Sequence, residues 1–172
     1  GDDVADRVRA LSSRQFEKDN VVGTRHVMEA AAAQDESPVV IYVSSLAAGG
    51  PSRRDTPRLE SDDDEPVSDY GRSKHAAERA AAAFADEVPL SVVRPPIIFG
   101  PADRASLAIF RSVRMLRLLP VPGFRRFPVS LVHVADLCEA MVRIAQRGER
   151  VPHNGSMKLG EGIYYVAAER TI

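Results

Sequence analysis

The sequence predicts an α/β fold in which helices cover both faces of a parallel sheet. Two runs carry that prediction. Val39-Val40-Ile41-Tyr42-Val43 and Leu90-Ser91-Val92-Val93 are short, β-branched and almost continuously apolar, the pattern of strands buried on both faces. They are separated by an alanine-rich stretch of helical composition, so the connection is a crossover rather than a hairpin.

Taken in order, residues 1–15 mix charged and small side chains without a firm period and read as a loop. From Asp19 or Asn20 to Ala33 the pattern is helical. Val22, His26, Val27 and Ala30 share one stripe, Asn20 suits an N-cap, and Gln34-Asp35-Glu36-Ser37-Pro38 breaks the helix. The strand 39–43 then ends in Ser44-Ser45. Ligands of open α/β sheets sit beyond the carboxyl ends of the strands, which places both serines at a site edge. Residues 47–52 are small and glycine-rich, and residues 60–65 form an acidic block read as a solvated loop. That block has neither the alternation nor the glycine of a calcium loop, so no metal is expected.

The next helix runs from Asp69 to about Ala85, ahead of the strand 90–93. Pro95-Pro96 cannot donate ladder hydrogen bonds, so the chain leaves its neighbours there. Residues 103–119 read as a basic amphipathic helix, Arg111, Arg114 and Arg117 lying among Leu107, Phe110, Val113 and Leu118. A strand over 129–134 leads to a helix from Asp136 to Ile144, with Leu137, Ala140, Met141 and Ile144 on one face. Asp136 reads as its cap and Cys138 as a small core residue. A last strand covers 162–167.

Composition excludes several classes of function. The chain has 172 residues, 44% of them hydrophobic, which supports one globular domain with its own core. With 23 basic against 24 acidic residues there is no cationic excess for a nucleic acid. No apolar run approaches the ~20 residues that span a bilayer, so no membrane insertion is expected. The single cysteine cannot form an internal disulfide, in keeping with a reducing, cytoplasmic location.

The chemistry-bearing segment is Asp69-Tyr70-Gly71-Arg72-Ser73-Lys74. Tyr70 and Lys74 are four apart, on one helical face and one turn from each other. A phenol is a weak acid and base at neutral pH, and a fixed cation nearby stabilises its anion. The order Ser44-Ser45, Tyr70, Lys74, then Arg94-Pro95-Pro96-Ile97-Ile98-Phe99-Gly100-Pro101 resembles the extended short-chain dehydrogenase/reductase family, also described as NAD-dependent epimerases/dehydratases. Asn20-Val21-Val22-Gly23-Thr24 is similar to the family's Asn-x-x-Gly-Thr segment, and His133-Val134-Ala135-Asp136 to its His-Val-x-Asp segment.

The resemblance implies a Rossmann-like doubly wound parallel sheet. It implies Tyr70 as acid/base, Lys74 as its electrostatic partner and ribose ligand, Ser45 as the donor to the substrate oxygen, and Asn20 in support. Ser44, Tyr70, Lys74, Pro95, Ile97 and Ile98 would contact the cofactor, NAD or NADP. The substrate would be a small molecule, a nucleotide sugar or an apolar ketone, and a homodimer is compatible with the family. No Gly-x-Gly-x-x-Gly stands between a strand and a helix anywhere in the sequence. The expectation is therefore a partial domain without its first strands and glycine-rich loop, excerpted from a longer enzyme. Residues 1–102 would be the second half of the cofactor domain with the catalytic residues, and 103–172 a truncated substrate-binding segment interleaved with the last sheet elements. The alternative is a non-catalytic relative that binds a dinucleotide or a partner.

Overall fold

The computed structural model describes residues 14–52, 56–101, 103, 114, 129–153 and 160–168. A π-helical turn (Glu17–Val22) runs without a break into α1 (Gly23–Ala32). There follow β1 (Val40–Val43), the short α2 (Leu46–Gly49), α3 (Asp69–Ala82), β2 (Leu90–Arg94) and β3 (Ile97–Phe99). β4 (Leu131–His133), α4 (Val134–Arg147) and β5 (Ile163–Tyr165) complete the described elements. β2 lies between β1 and β5 in a parallel sheet, with Val40 beside Leu90 and Val93 beside Tyr164. β3 and β4 pair in parallel as a second sheet, and Pro95-Pro96 mark the crossing from one sheet to the other.

The strand period of two explains the layering. Leu90 and Val92 face a cluster with Met28 and Ala31 of α1 and Ala81 and Ala82 of α3. Val93 points the other way, to Leu137 and Ile144 of α4 and Val132 of β4. β2 is buried along its whole length between these two layers, so the sheet is doubly wound. Behind α4, Arg150 donates to the Ile144 and Gly148 carbonyls at 2.9 Å and to Ala145 at 2.6 Å. That cation satisfies the carbonyls left over at the helix end.

Several expectations are corrected. β1 is only half-buried, because β2 is its one strand neighbour among the described residues. The buried stripe of the first helix is Met28 and Ala31, whereas Val22 and Val27 are 42% and 61% exposed. Apolar residues lie all round this helix, so periodicity did not determine which face turns inward. Asn20 caps nothing: it lies inside the π-helical turn, in continuous helix. α4 begins at Val134, two residues early, because His133 accepts from the Ala135 amide and is the cap in place of Asp136. Cys138 is exposed, on the side of α4 away from Leu137 and Ile144. The predicted basic helix 103–119 lies outside the described residues except at Asp103 and Arg114. No described helix is long and apolar enough to cross a membrane.

Candidate active site

The start of α3 is set by its cap. Ser68, in extended backbone, accepts a hydrogen bond from the Gly71 amide at 3.0 Å, and Asp69 adds a carboxylate to the first turn. Tyr70 therefore sits in the first turn and Lys74 one turn later. Ser45 begins α2 in the same way, accepting from the Ala47 amide at 3.2 Å. A hydroxyl that accepts through its oxygen keeps its own proton to donate.

Gly71 lets the two helix starts meet. A Cβ at that position would stand 2.3 Å from the Ala47 carbonyl oxygen, so only glycine permits this approach. The loop leaving α2 is equally close: Gly50 has φ +97°, and a Cβ there would stand 2.2 Å from the Glu65 carbonyl oxygen. The residue beside Tyr70 is thus packed on the helix that Ser45 opens.

Lys74 reaches back to β1. Its Nζ donates to the Val43 carbonyl at 2.9 Å and lies 5.1 Å from the centroid of the Tyr42 ring. Burial lowers the Lys74 pKa below that of an ordinary lysine, with the Glu78 carboxylate one turn on opposing the shift. The Tyr42 phenol, largely buried, is pushed up to about 12; Thr24 partly offsets the burial, and the hydroxyl makes no hydrogen bond of ordinary geometry. At the strand end the Ser44 amide continues the ladder to the Val93 carbonyl at 2.7 Å, and the Leu46 amide donates to Pro95 at 3.0 Å. Ser44, Ser45 and Pro95 share one sheet edge.

The Tyr70 ring is 40% exposed and meets Phe16 edge-on at 5.8 Å. Asn20 Nδ2 donates to Ser73 Oγ at 3.0 Å, and Ser73 Oγ donates to the Tyr70 carbonyl at 2.8 Å. Asn20 therefore holds the π-helical turn to the stretch of α3 between Tyr70 and Lys74. Such turns are frequent at functional sites. Ile97 and Ile98 lie past the two prolines in β3, 55% and 39% exposed.

The acidic loop is less solvated than its composition suggested. Asp64 is half-buried against Arg94, and Glu60 accepts from the Tyr165 amide at 3.0 Å. Asp64, His75 and Glu78 each bring one ligand atom within 4.8 Å of the others. Arg94 already binds both carboxylates, and its fixed charge opposes a cation there. The pairing of Arg94 with Glu78 and Asp64 is absent from the sequence-based expectations. The available signal was an arginine ending a buried strand, a position that requires an anionic partner.

Could these residues hold a nicotinamide cofactor? The Ser44 hydroxyl is a buried donor without a partner among the described residues, at the ligand edge of the sheet. Lys74 carries three N–H donors, of which the Val43 bond uses one. Both fit a ribose or amide at this edge.

The family model of the NAD dependent epimerase/dehydratase family matches residues 5–160. The chain belongs to that family. Among curated relatives, a ceramide reductase of Caulobacter vibrioides is 34% identical over 92% of this chain and 43% of its own length. A 4-hydroxy-2-methyl-3-oxo-4-farnesyl-3,4-dihydroquinoline-1-oxide ketoreductase of Stigmatella aurantiaca is 32% identical over 86% of this chain and 46% of its length. This epimerase/dehydratase-family chain thus spans less than half the length of either. Two solved structures place it in the same doubly wound fold. A dTDP-glucose 4,6-dehydratase of Bacillus anthracis superposes with a TM-score of 0.77 at 21% identity, covering 93% of this chain and 50% of that one. MoeE5, solved with UDP-glucuronic acid and NAD, gives 0.69 at 29% identity over 89% of this chain and 50% of its own.

Proposed function

We propose that the full-length protein is an NAD(P)-dependent enzyme interconverting a carbonyl and a carbinol, and that its reaction is reduction of an apolar ketone. The observation that carries this reading is the Tyr70–Lys74 pair on one turn of α3, fastened through Val43 to the strand that ends at Ser45. Reduction is favoured over sugar-nucleotide chemistry by coverage. The two reductases align with 92% and 86% of this chain, whereas a UDP-glucose 4-epimerase of Vibrio cholerae aligns with 59%.

In this reading the nicotinamide, when bound, supplies the hydride. Tyr70 gives its phenolic proton to the substrate oxygen as charge develops there. Lys74 stabilises the phenol oxygen as that proton leaves and offers its remaining donors to the ribose. Ser45 donates its hydroxyl to the same substrate oxygen, and Asn20 keeps the first turn of α3 in place through Ser73. Pro95, Ile97 and Ile98 would contact the cofactor on its nicotinamide side. The enzyme is read as a cytoplasmic homodimer, the support being the family resemblance and the exposed Val27 on the outer side of α1. Light scattering on the full-length protein tests the dimer.

The experiment that tests the reaction is reduced-cofactor oxidation by the full-length protein against a panel of apolar ketones and nucleotide sugars. Turnover of at least one ketone, and none of the sugars, is expected. Turnover of sugars alone would transfer the site to epimerase or dehydratase chemistry, and cofactor binding with no turnover of anything would favour the non-catalytic relative.

A further inference from the structure

Arg94 ends β2 and, by the two-residue period, faces α3 with Leu90 and Val92. It is 1% exposed. Nε and Nη2 donate to Glu78 at 2.9 and 2.6 Å, and Nη1 and Nη2 donate to Asp64 at 2.6 and 2.7 Å. Nη1 also donates to the Tyr165 hydroxyl at 3.2 Å, so all five donors of the guanidinium are used. Two forks of this kind fix direction as well as distance.

Each carboxylate belongs to a part of the site. Glu78 lies one turn beyond Lys74, fully buried, and favours its ammonium. Asp64 belongs to the loop that ends in the Ser68 cap, and that loop lines an open cleft of about 470 Å³ through Thr56, Arg58, Asp62, Asp63 and Glu65. The charged and titratable groups around the guanidinium are Glu78 from α3, Asp64 and Arg58 from the loop and Tyr165 from β5. His75 Nε2 lies 3.5 Å from Asp64 Oδ2, the oxygen that also accepts from Arg94 Nη2. Two arginines thus face two carboxylates, and Glu78 is the carboxylate placed one helical turn from Lys74.

We propose that Arg94 is a positioning residue of the Ser45–Tyr70–Lys74 site: through Glu78 it orients the carboxylate that supports Lys74, and through Asp64 it anchors the segment that leads to the Ser68 cap of α3 and whose Glu65 amide donates to the Gly49 carbonyl of α2 at 2.8 Å. The proposal rests on the reductase reading above and assigns to Arg94 a role exerted only through its two partners. Glu78 then governs the ammonium and Asp64 the placement of Ser45 and Tyr70 around the substrate oxygen, so the two arms have different kinetic signatures.

The test compares Glu78→Gln, Asp64→Asn and Tyr70→Phe in the full-length enzyme, with kcat, KM, the pH profile and thermal melting recorded for each. Asp64→Asn, on the more accessible arm, is expected to fold and to raise the substrate KM by about five-fold or more with kcat within about two-fold. Glu78→Gln is expected to move the alkaline limb of kcat to lower pH, because Lys74 loses the carboxylate that favours its charge. A lower melting temperature with unchanged KM and unchanged pH limb in both variants would make Arg94 a purely structural ion pair and overturn the proposal. If Glu78→Gln does not fold, an unchanged KM in Asp64→Asn overturns it alone. A fully active Tyr70→Phe would remove the underlying reading, and the positioning role with it. An inactive Tyr70→Phe beside unaffected Asp64 and Glu78 variants would sink only the clamp.

Discussion

The Lys74 ammonium donates to the Val43 carbonyl across 2.9 Å, so the helix that carries Tyr70 is bolted to the strand that ends in Ser44 and Ser45. Lys74→Met breaks that bond and removes the charge. Turnover by the full-length enzyme is expected to fall and cofactor affinity to weaken. Because burial lowers the Lys74 pKa from 10.5, the wild-type rate should decline at alkaline pH before an ordinary lysine titrates. The variant should lack that limb, and a pH–rate profile identical in shape to wild type would contradict this role.

Gly71→Ala tests the contact between α2 and α3. Alanine gains about 1 kcal/mol over glycine within a helix. The clash is larger, since the Cβ would meet the Ala47 carbonyl at 2.3 Å and backbone on either side cannot turn away as a side chain can. A net loss of about 1–3 kcal/mol is expected, with reduced turnover as Ser45 and Tyr70 are pushed apart. Calorimetry showing equal or higher stability would mean that the two helix starts are not in contact.

Tyr42→Phe separates stability from chemistry. The folded phenol, pushed up to about 12, stays protonated where the unfolded phenol, near 10.0, has ionised. Its contribution is therefore present below pH 10 and lost as pH rises towards 12. Phenylalanine should leave neutral-pH stability equal or higher, because the buried hydroxyl makes no hydrogen bond of ordinary geometry among the described residues, and should flatten the alkaline decline. Superimposable alkaline unfolding curves would refute this.

The layered α/β architecture was legible because its signals are local. Apolar β-branched runs, proline breaks and an alanine-rich helix specify β1, β2 and α3 within a residue or two at most ends. Helix faces were less legible. In α1 Val27 points out and Met28 points in, a choice made by what α3 and the sheet present and not by the helix itself. Long-range polar pairing was not legible at all: Asp64, Glu78 and Arg94 are 14 and 16 residues apart in sequence, and only the fold brings them to one guanidinium. Asn20 shows both sides. Its motif was readable, while its bond to Ser73, 53 residues away, depends on a π-helical turn that composition does not announce.

Tyr70→Phe tests the central claim most directly, since it removes one oxygen and leaves the ring packed on Phe16. Cofactor affinity and turnover should be measured for the full-length wild type and variant on a ketone that the wild type reduces. The account predicts unchanged cofactor affinity and a fall in kcat of ~10²–10⁴-fold, the range for a positioned acid/base. A variant that retains near-wild-type kcat would contradict it.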